Sequence, residues 1–274
     1  MNSVLGALAC ALLVASSAHA QDDQQPPPFV TTPAQIVERM LSVAGVRPGD
    51  FVIDLGSGDG RIVIAAAKQF GAQGVGIELH GGLVERAREN ARAAGVADRA
   101  QFLQGDVLEA DLSRATVVTI YLLPWLMNKL QPALLKLKPG TRIVSHTFTW
   151  TGWAPDRSET VRLNERHEGQ GAVSKVHLWI VPAQMRGAWR SIAQGGDDEW
   201  RINIAQNYQA IEIDGTLGAR ALRVTDARLS GTEISFSDAD ARYRGRLEGE
   251  RIVGELIRSG SMLPLGLDFV RAPR

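Results

Sequence analysis

Residues 52–60, Val-Ile-Asp-Leu-Gly-Ser-Gly-Asp-Gly, join an apolar run to a glycine-rich turn that carries two carboxylates. The turn contains three glycines, Gly56, Gly58 and Gly60. Glycines let the backbone turn sharply and approach a ligand, because no Cβ stands in the way. Asp54 and Asp59 would repel a diphosphate and attract a ligand that carries positive charge. Arg61 stands where a dinucleotide fingerprint needs glycine or alanine, and the Gly-Lys-Ser/Thr of a phosphate loop is absent. The stretch therefore predicts a site for a cationic small molecule, with a plain turn as the alternative.

Two further acids follow apolar segments later in the chain. Glu78 comes 24 residues after Asp54, which is the length of one helix and a return strand. A carboxylate at that point can accept two hydrogen bonds from vicinal hydroxyl groups, such as those of a ribose. Asp106 follows a strand segment at Ala100–Leu103. The alternatives are a solvated strand end for Glu78 and, for Asp106, an N-cap before a short helical turn.

The elements that would position these acids alternate between strands and helices. Thr32-Pro33-Ala34-Gln35 predicts a capping box and an amphipathic helix that stops at Gly45. Predicted strands cover Phe51–Leu55, Gly74–Glu78, Gln101–Leu103, Ala115–Leu122 and Thr141–His146. Predicted helices cover Arg61–Phe70, Gly82–Ala94 and Leu126–Lys136. The strands are apolar without strict alternation, which is typical of a parallel sheet covered by helices on both faces.

Between Thr32 and Pro182 the chain resembles the class I S-adenosylmethionine-dependent methyltransferases. Five segments carry the resemblance: Asp54–Gly60, Gly74–Glu78, Gln104–Asp106, Tyr121–Pro124 and Leu137–Val144. It implies an α/β fold with a Rossmann-like seven-stranded methyltransferase sheet, whose terminal antiparallel pair would be Thr160–Glu165 and Lys175–Val181.

The resemblance also implies S-adenosyl-L-methionine as the cofactor and gives each motif a role. The three glycines Gly56, Gly58 and Gly60 would pass close to the methionine part. Asp54 would stand near its ammonium group, Glu78 would hold the ribose, and Asp106 would lie on the adenine side.

The methyl acceptor would meet the cofactor near the fourth and fifth strands. Tyr121 and Pro124 would shape the transfer channel, because a parallel sheet opens its ligand crevice where its strands end. His146, at the end of the fifth strand, is either a catalytic base or a satisfied polar group. We expect Tyr121, Pro124 and His146 to form the catalytic set. Trp125 either lies at the acceptor pocket or packs on the following helix, and Trp150 and Trp153 either wall that pocket or cover the core.

The fourth-strand motif bears on the acceptor. Tyr121-Leu122-Leu123-Pro124 departs from the Asn/Asp-Pro-Pro-Tyr that amino-methylating members of the family often carry, which disfavours nucleobase or glutamine methylation. Together with Thr32-Pro33 and the glycine motif, it is more similar to the protein-lysine methyltransferase group shared by bacteria and mitochondria, which modifies membrane carrier or rotor proteins. The resemblance implies a protein as the acceptor. No set of His, Asp or Glu has the spacing of metal ligands.

Composition and the amino terminus suggest partners and location. Lys and Arg total 30 and Asp and Glu total 30, so the net charge is zero and nucleic acid is not an expected partner. Residues 1–20 lack charge, are largely apolar and end in Ala18-His19-Ala20, which predicts a signal peptide cleaved after Ala20. The protein would then be periplasmic or secreted, without a stable membrane span. The alternative is an uncleaved N-terminal anchor, because the usual basic residues are missing. Cys10 is the only cysteine.

The remainder of the chain divides into a tether and two domains. Residues 21–30 are polar and proline-rich, which predicts a tether, and 31–183 would be the methyltransferase domain. Residues 184–274 show alternating apolar residues with turns roughly every ten residues, which predicts about seven strands in an antiparallel meander or small barrel. The alternative to an enzyme is an exported, non-catalytic binding module whose β domain holds a ligand or an envelope partner.

Overall fold

A computed structural model describes residues 30–164, 171–192, 199–239, 241–261 and 263–273. The predicted signal peptide, and all but the last residue of the predicted tether, lie outside these residues. The helices are α1 (Ala34–Val43), α2 (Arg61–Phe70), α3 (Gly81–Ala93) and α4 (Pro124–Leu134). None of the helices in this described part of the chain has the length and apolar character that crossing a bilayer requires.

The first sheet has seven strands. They are β1 (Phe51–Leu55), β2 (Gln73–Glu78), β3 (Ala100–Gln104), β4 (Val117–Ile120), β5 (Arg142–His146), β6 (Arg157–Arg162) and β7 (Val173–Ile180). Their order is β3-β2-β1-β4-β5-β7-β6, and β7 alone runs in the opposite direction to the other six strands. The predicted methyltransferase sheet and its terminal antiparallel pair are therefore confirmed.

Both faces of this sheet are covered, as the apolar strand pattern predicts. In β1, Val52 packs in a cluster with α1 and α2, whereas its neighbour Ile53 packs in a cluster with α4. Successive side chains of a strand point to opposite faces, so one strand supplies both layers of the core. Phe102 of β3 packs in a further cluster with residues of α2 and α3, which extends the layer that covers Val52.

The capping-box prediction for α1 is wrong. Pro33 occupies the N-cap position, and no side chain caps the helix. The amide of Gln35 instead reaches across to the end of β6, where it donates to the carbonyl of Arg162 and accepts the N–H of Asn164. The strand predicted at Ala115–Leu122 is also shorter in the structure, because only Val117–Ile120 pairs in the sheet.

The second sheet is antiparallel and has ten strands. They are β8 (Gly187–Ile192), β9 (Trp200–Asn207), β10 (Ala210–Leu217), β11 (Arg220–Ala221), β12 (Val224–Ser230), β13 (Glu233–Asp238), β14 (Ala241–Glu248), β15 (Arg251–Arg258), β16 (Leu265–Gly266) and β17 (Asp268–Arg271). Their order is β11-β10-β9-β8-β17-β15-β14-β13-β12, with β16 beside β15. The sheet curls until Cα atoms of β10 and β12 lie within 8 Å, so its inner face encloses one apolar core.

This second architecture matches the predicted meander or small barrel, with three differences. β8 and the two-residue β11 were not predicted. The alternating residues Leu265, Leu267 and Phe269 predict one strand, but the structure divides this segment into β16 and β17, and β17 inserts between β8 and β15.

The two sheets meet through the turn between β9 and β10. The Tyr208 ring stacks on the indole of Trp153, with 5.5 Å between ring centroids. The Gln209 side chain accepts the Trp153 indole N–H at 3.0 Å and donates to the carbonyl of Ala154. Gln131 of α4 donates to the Tyr208 hydroxyl at 3.3 Å. The second sheet therefore rests on the helix that follows β4.

Candidate active site

A cavity of about 510 Å³ lies at the carboxyl ends of β1, β2 and β4. Strand order reverses between β1 and β4, and open α/β sheets bind ligands at such a switch point. The volume is in the range of cofactor and small-molecule pockets. The cavity therefore occupies the place at which the predicted acids and glycines converge.

The glycine turn forms one wall of the cavity. Gly56 and Gly58 line it and adopt positive φ angles of 77° and 54°. A Cβ on Gly56 would come within 2.7 Å of Leu122, so the turn packs closely against the segment after β4. Gly60 does not line the cavity. A Cβ there would lie 2.5 Å from the Phe102 ring, so this glycine allows α2 to pack against the sheet.

Asp54 is a buried carboxyl group on the cavity wall, with 2% of its surface exposed. The Thr119 hydroxyl of β4 donates to it at 2.6 Å. Burial raises the pKa of Asp54 to about 7; the Thr119 hydrogen bond lowers it, while the charges of Glu78 and Asp59 raise it further. A cationic ligand group beside Asp54 would relieve this penalty and favour the carboxylate.

Glu78 faces the same cavity from the end of β2. It is buried and accepts backbone N–H groups from Gly58 at 2.9 Å and from His80 at 3.0 Å. A carboxylate offers about four lone-pair sites, so these two bonds fix its orientation and leave acceptors for a ligand. The solvated strand end, which was the alternative for Glu78, does not describe this buried group.

Asp106 lies at the cavity rim and is exposed. Its side chain accepts the N–H of Leu108 at 2.9 Å, which forms an Asx-turn after β3. The residue therefore has the local turn role that was its alternative, and it also contributes to the cavity wall.

Asp59 is paired within the chain, which changes the interpretation of the turn. Its carboxylate accepts Nε and Nη2 of Arg61 at 2.9 and 2.6 Å. Burial alone would raise the pKa of Asp59, but hydrogen bonds and the charge of Arg61 hold it below its usual range. Attraction of a cation therefore falls to Asp54 and Glu78. Arg61 also donates to the carbonyl of Thr32 at 2.8 Å, which fixes the segment 30–32 along the cavity.

The opposite wall is apolar and aromatic. Tyr121, Leu122, Leu123, Trp125, Leu126 and Phe148 line it. The rings of Tyr121 and Phe148 stack with 6.2 Å between centroids. The Lys129 ammonium lies 4.7 Å from the centroid of the Trp125 ring, so this ring already supports a cation. Phe148 was missed in the sequence, although it stands only two residues beyond β5. Pro124 is the exposed first residue of α4 and does not line the cavity.

His146 lies beneath the cavity rather than in its wall. It has 0% exposed surface, and its Nε2 is 2.7 Å from the Ser174 hydroxyl. Its ring lies 4.1 Å from the Tyr121 ring, and its Nδ1 is 3.5 Å from the Thr32 hydroxyl. Of the two alternatives for His146, a catalytic base or a polar group satisfied by hydrogen bonds, this position supports the second.

Trp150 and Trp153 belong to the core. Both are buried and pack with Trp179 on the face of the sheet that carries α4. Neither lines the cavity, so the structure places them in the core-covering role. Over the described ranges, no group of three or more His, Cys, Asp or Glu could hold a metal ion.

Comparison with known proteins identifies the family of the chain. A family model, the ANTKMT methyltransferase domain, matches residues 54–157. A protein-lysine N-methyltransferase of Saccharolobus islandicus (strain REY15A) is 48% identical over 156 residues, which is 56% of this chain and 93% of that protein. An adenine nucleotide translocase lysine N-methyltransferase of Mus musculus is 37% identical over 129 residues; the match spans 47% of this chain and 56% of the mouse protein.

A solved structure matches as well. An RNA methyltransferase from Salinibacter ruber, in complex with S-adenosyl-L-homocysteine, has 50% sequence identity and a TM-score of 0.51. The match covers 61% of this chain and 99% of that chain.

The fold and these relatives are those of an S-adenosylmethionine-dependent methyltransferase of class I. The chain belongs to the protein-lysine methyltransferase group of that family. It is an enzyme that uses S-adenosyl-L-methionine, and these comparisons offer no support for a non-catalytic binding module.

Proposed function

We propose that this enzyme transfers a methyl group from S-adenosyl-L-methionine to the ε-amino group of a lysine in a protein. The observation that carries the proposal is one cavity with two unlike walls. Asp54 and Glu78 lie beside the glycine turn on one wall, and Tyr121, Trp125 and Phe148 lie on the other. The relatives named as lysine methyltransferases support the choice of acceptor.

The acidic wall would hold the cofactor. Gly56 and Gly58 would pass the methionine part, and Gly60 would support them from behind by letting α2 pack. Asp54 would pair with the cofactor ammonium, Glu78 would accept the ribose hydroxyls, and Asp106 would lie on the adenine side. Bound there, the cofactor supplies a methyl group that its sulfonium charge already activates.

The aromatic wall would receive the lysine. An amine attacks only as its neutral form, and an apolar channel favours that form by removing water from the ammonium. Aromatic faces also stabilise methylammonium groups. Tyr121 would line the channel and align the amine, and proximity accounts for much of the rate in such a transfer. Pro124, the first residue of α4, would set the course of the segment Leu122–Leu123, and His146 would hold Tyr121 in place.

The charge of the cavity supports a protein rather than a nucleic acid as the acceptor. Of the described residues that line it, Arg61 is the one arginine or lysine, and Asp59 pairs with it. Phosphate backbones are held chiefly by such basic groups. This charge therefore supports the proposal of a protein acceptor.

We also propose a domain organisation and a cellular location for the enzyme. Residues 1–20 would be an export signal cleaved after Ala20, 21–30 a tether, 31–183 the methyltransferase domain and 184–274 a β domain. The enzyme would then be periplasmic or secreted. N-terminal sequencing of the protein isolated from fractionated cells would give Gln21 as the first residue, whereas an intact Met1 in the membrane fraction would favour an uncleaved anchor.

The test is methyl transfer from labelled cofactor to an envelope protein extract, followed by mass spectrometry of the labelled peptides. Label on lysine ε-amino groups supports the proposal. Label confined to RNA or small molecules, or to other side chains, would contradict it.

Glu78→Ala tests the cofactor wall. The substitution removes a carboxylate that would accept two ribose hydroxyls, so cofactor affinity should fall by about 1–3 kcal/mol. Glu85→Ala on α3 is the matched control, because Glu85 carries the same charge but is exposed and pairs with Arg88. Calorimetry should show a loss only for Glu78→Ala; equal affinities for the two variants would sink the ribose assignment.

A further inference from the structure

The outer face of β12–β15 carries exposed arginines over a buried apolar layer. Along β14, Arg242, Arg244 and Arg246 are exposed and alternate with the buried Tyr243 and Gly245. Every second residue of a strand faces the same side, so the three arginines share the outer surface. We call the outward residues of β12–β15 the arginine face; they include Arg228, Glu233, Ser235, Arg242, Arg244, Arg246, Glu248, Val253, Glu255 and Ile257.

Strand register brings a fourth arginine into line. Arg228 of β12 pairs in register with Ser235 of β13, and Ser235 pairs with Arg244 of β14. Two strand spacings separate the arginines, which is roughly 10 Å. The serine between them carries no charge, so it does not neutralise either arginine.

Three of these arginines lack an ion-pair partner among the residues the structure describes. Arg246 pairs with Glu233 at 2.5 Å, but no acid within 4 Å pairs with Arg228, Arg242 or Arg244. Glu255 stands opposite Arg244 in register without forming an ion pair. Like charges held this close repel one another, and an external anionic surface would offset that repulsion.

Apolar side chains stand beside the charges. Ile257 and Val253 of β15 pair in register with Arg242 and Arg246, and both are exposed. The loop between β15 and β16 adds Leu263, with 79% of its surface exposed. An exposed leucine at a loop tip beside basic residues is typical of surfaces that enter the interfacial region of a bilayer.

We propose that the arginine face and the Leu263 loop dock this enzyme on the surface of a bilayer that contains anionic phospholipids. The core fills the inner side of the curled sheet, so the arginine face is convex, and a convex face meets a planar partner more fully than it encloses a peptide. Among its described outward residues there is no aromatic ring on which a nucleobase could stack.

The test is sedimentation of the purified full chain with vesicles. Vesicles of phosphatidylcholine and phosphatidylglycerol should bind the protein, salt should weaken the binding, and phosphatidylcholine alone should bind it poorly. Each basic residue at an anionic surface contributes roughly fivefold in affinity, so Arg242→Gln/Arg244→Gln should bind about 25-fold more weakly. Leu263→Ser should also bind more weakly.

The matched control is Arg190→Gln/Arg201→Gln. These two exposed arginines also pair in register, but on β8 and β9. The control should bind vesicles like the parent protein, and all variants should keep its melting temperature and its activity on a water-soluble acceptor. Equal loss in both double variants, or equal binding to both vesicle types, would overturn the proposal. Binding to poly-glutamate without binding to vesicles would overturn it in favour of an acidic polypeptide.

Discussion

Asp54 makes cofactor binding sensitive to pH. Burial raises its pKa to about 7, so below that pH the free enzyme holds a neutral carboxyl group. Pairing with the cofactor ammonium requires the carboxylate, and the proton must therefore leave on binding. Cofactor affinity should rise about tenfold per pH unit from roughly pH 5 to 7 and level off above. Calorimetry at several pH values between about 5 and 8 would measure this change in cofactor affinity.

Asp54→Asn is the control for that titration. Asparagine keeps the size of the side chain and an acceptor for Thr119 but loses the ionisable group, so its cofactor affinity should be lower at neutral pH and flat across the range. A flat profile in the parent enzyme would mean that Asp54 does not pair with the cofactor ammonium.

His146 should affect the reaction through Tyr121 rather than as a base. It is buried beneath the Tyr121 ring, and its Nε2 is hydrogen-bonded to the Ser174 hydroxyl. We expect His146→Gln to lower kcat by about tenfold, because a ring displaced by a fraction of an ångström misaligns the amine. The shape of the pH–rate profile should stay the same, and KM for the cofactor should change little. Loss of one limb of that profile, in a variant that still folds, would instead make His146 a base.

At the scale of single elements, Gly60 joins the cofactor turn to α2. Its φ is 84°, and a Cβ would lie 2.5 Å from the Phe102 ring and 2.9 Å from the Ala87 Cβ. Gly95 has a similar φ of 69° but nothing within 4 Å of a Cβ. Both Gly→Ala changes introduce the same kind of backbone strain. Overpacking should therefore lower the free energy of unfolding of Gly60→Ala by about 1–3 kcal/mol more than that of Gly95→Ala. Urea unfolding of the two variants would measure the difference; equal midpoints would contradict the packing role.

The elements that the sequence predicts well are those with local causes. The first strand, the turn and α2 follow from one apolar run and three glycines, and Glu78 could be placed because one helix and one strand span a fixed length. Pairings between distant residues left no such local signal. Arg61 binds Thr32 across 29 residues, and this contact withdraws Asp59 from the ligand. The burial of His146 likewise depends on Ser174, which lies 28 residues further on.

The second sheet shows the same limit at larger scale. Alternation predicted an antiparallel domain, because every second residue must enter one core. Alternation carries no information on which strands pair. The insertion of β17 between β8 and β15 joins the end of the chain to strands that begin 81 and 17 residues earlier, and only tertiary packing decides it.

For the whole molecule, the turn between β9 and β10 should make the two sheets depend on each other. Tyr208 stacks on Trp153, and Gln209 accepts the indole N–H of that buried ring. Tyr208→Ala/Gln209→Ala removes an aromatic pair and leaves a buried donor unsatisfied, so the free energy of unfolding should fall by about 2–4 kcal/mol.

Asn207→Ala is the control for this contact between the two sheets, because Asn207 is exposed and lies one residue before Tyr208. Urea unfolding followed by tryptophan fluorescence would report both sheets, since Trp150, Trp153 and Trp179 lie in the core of the first sheet and Trp189 and Trp200 in the core of the second. The control should unfold at the parent midpoint and the double variant at a clearly lower one. If the double variant kept the parent midpoint, the methyltransferase sheet would derive no stability from the second sheet, and contact through this turn would be incidental. A lower midpoint would show that contact through this turn stabilises the folded protein, and the turn also contacts α4, the helix that carries Trp125, where Gln131 donates to Tyr208.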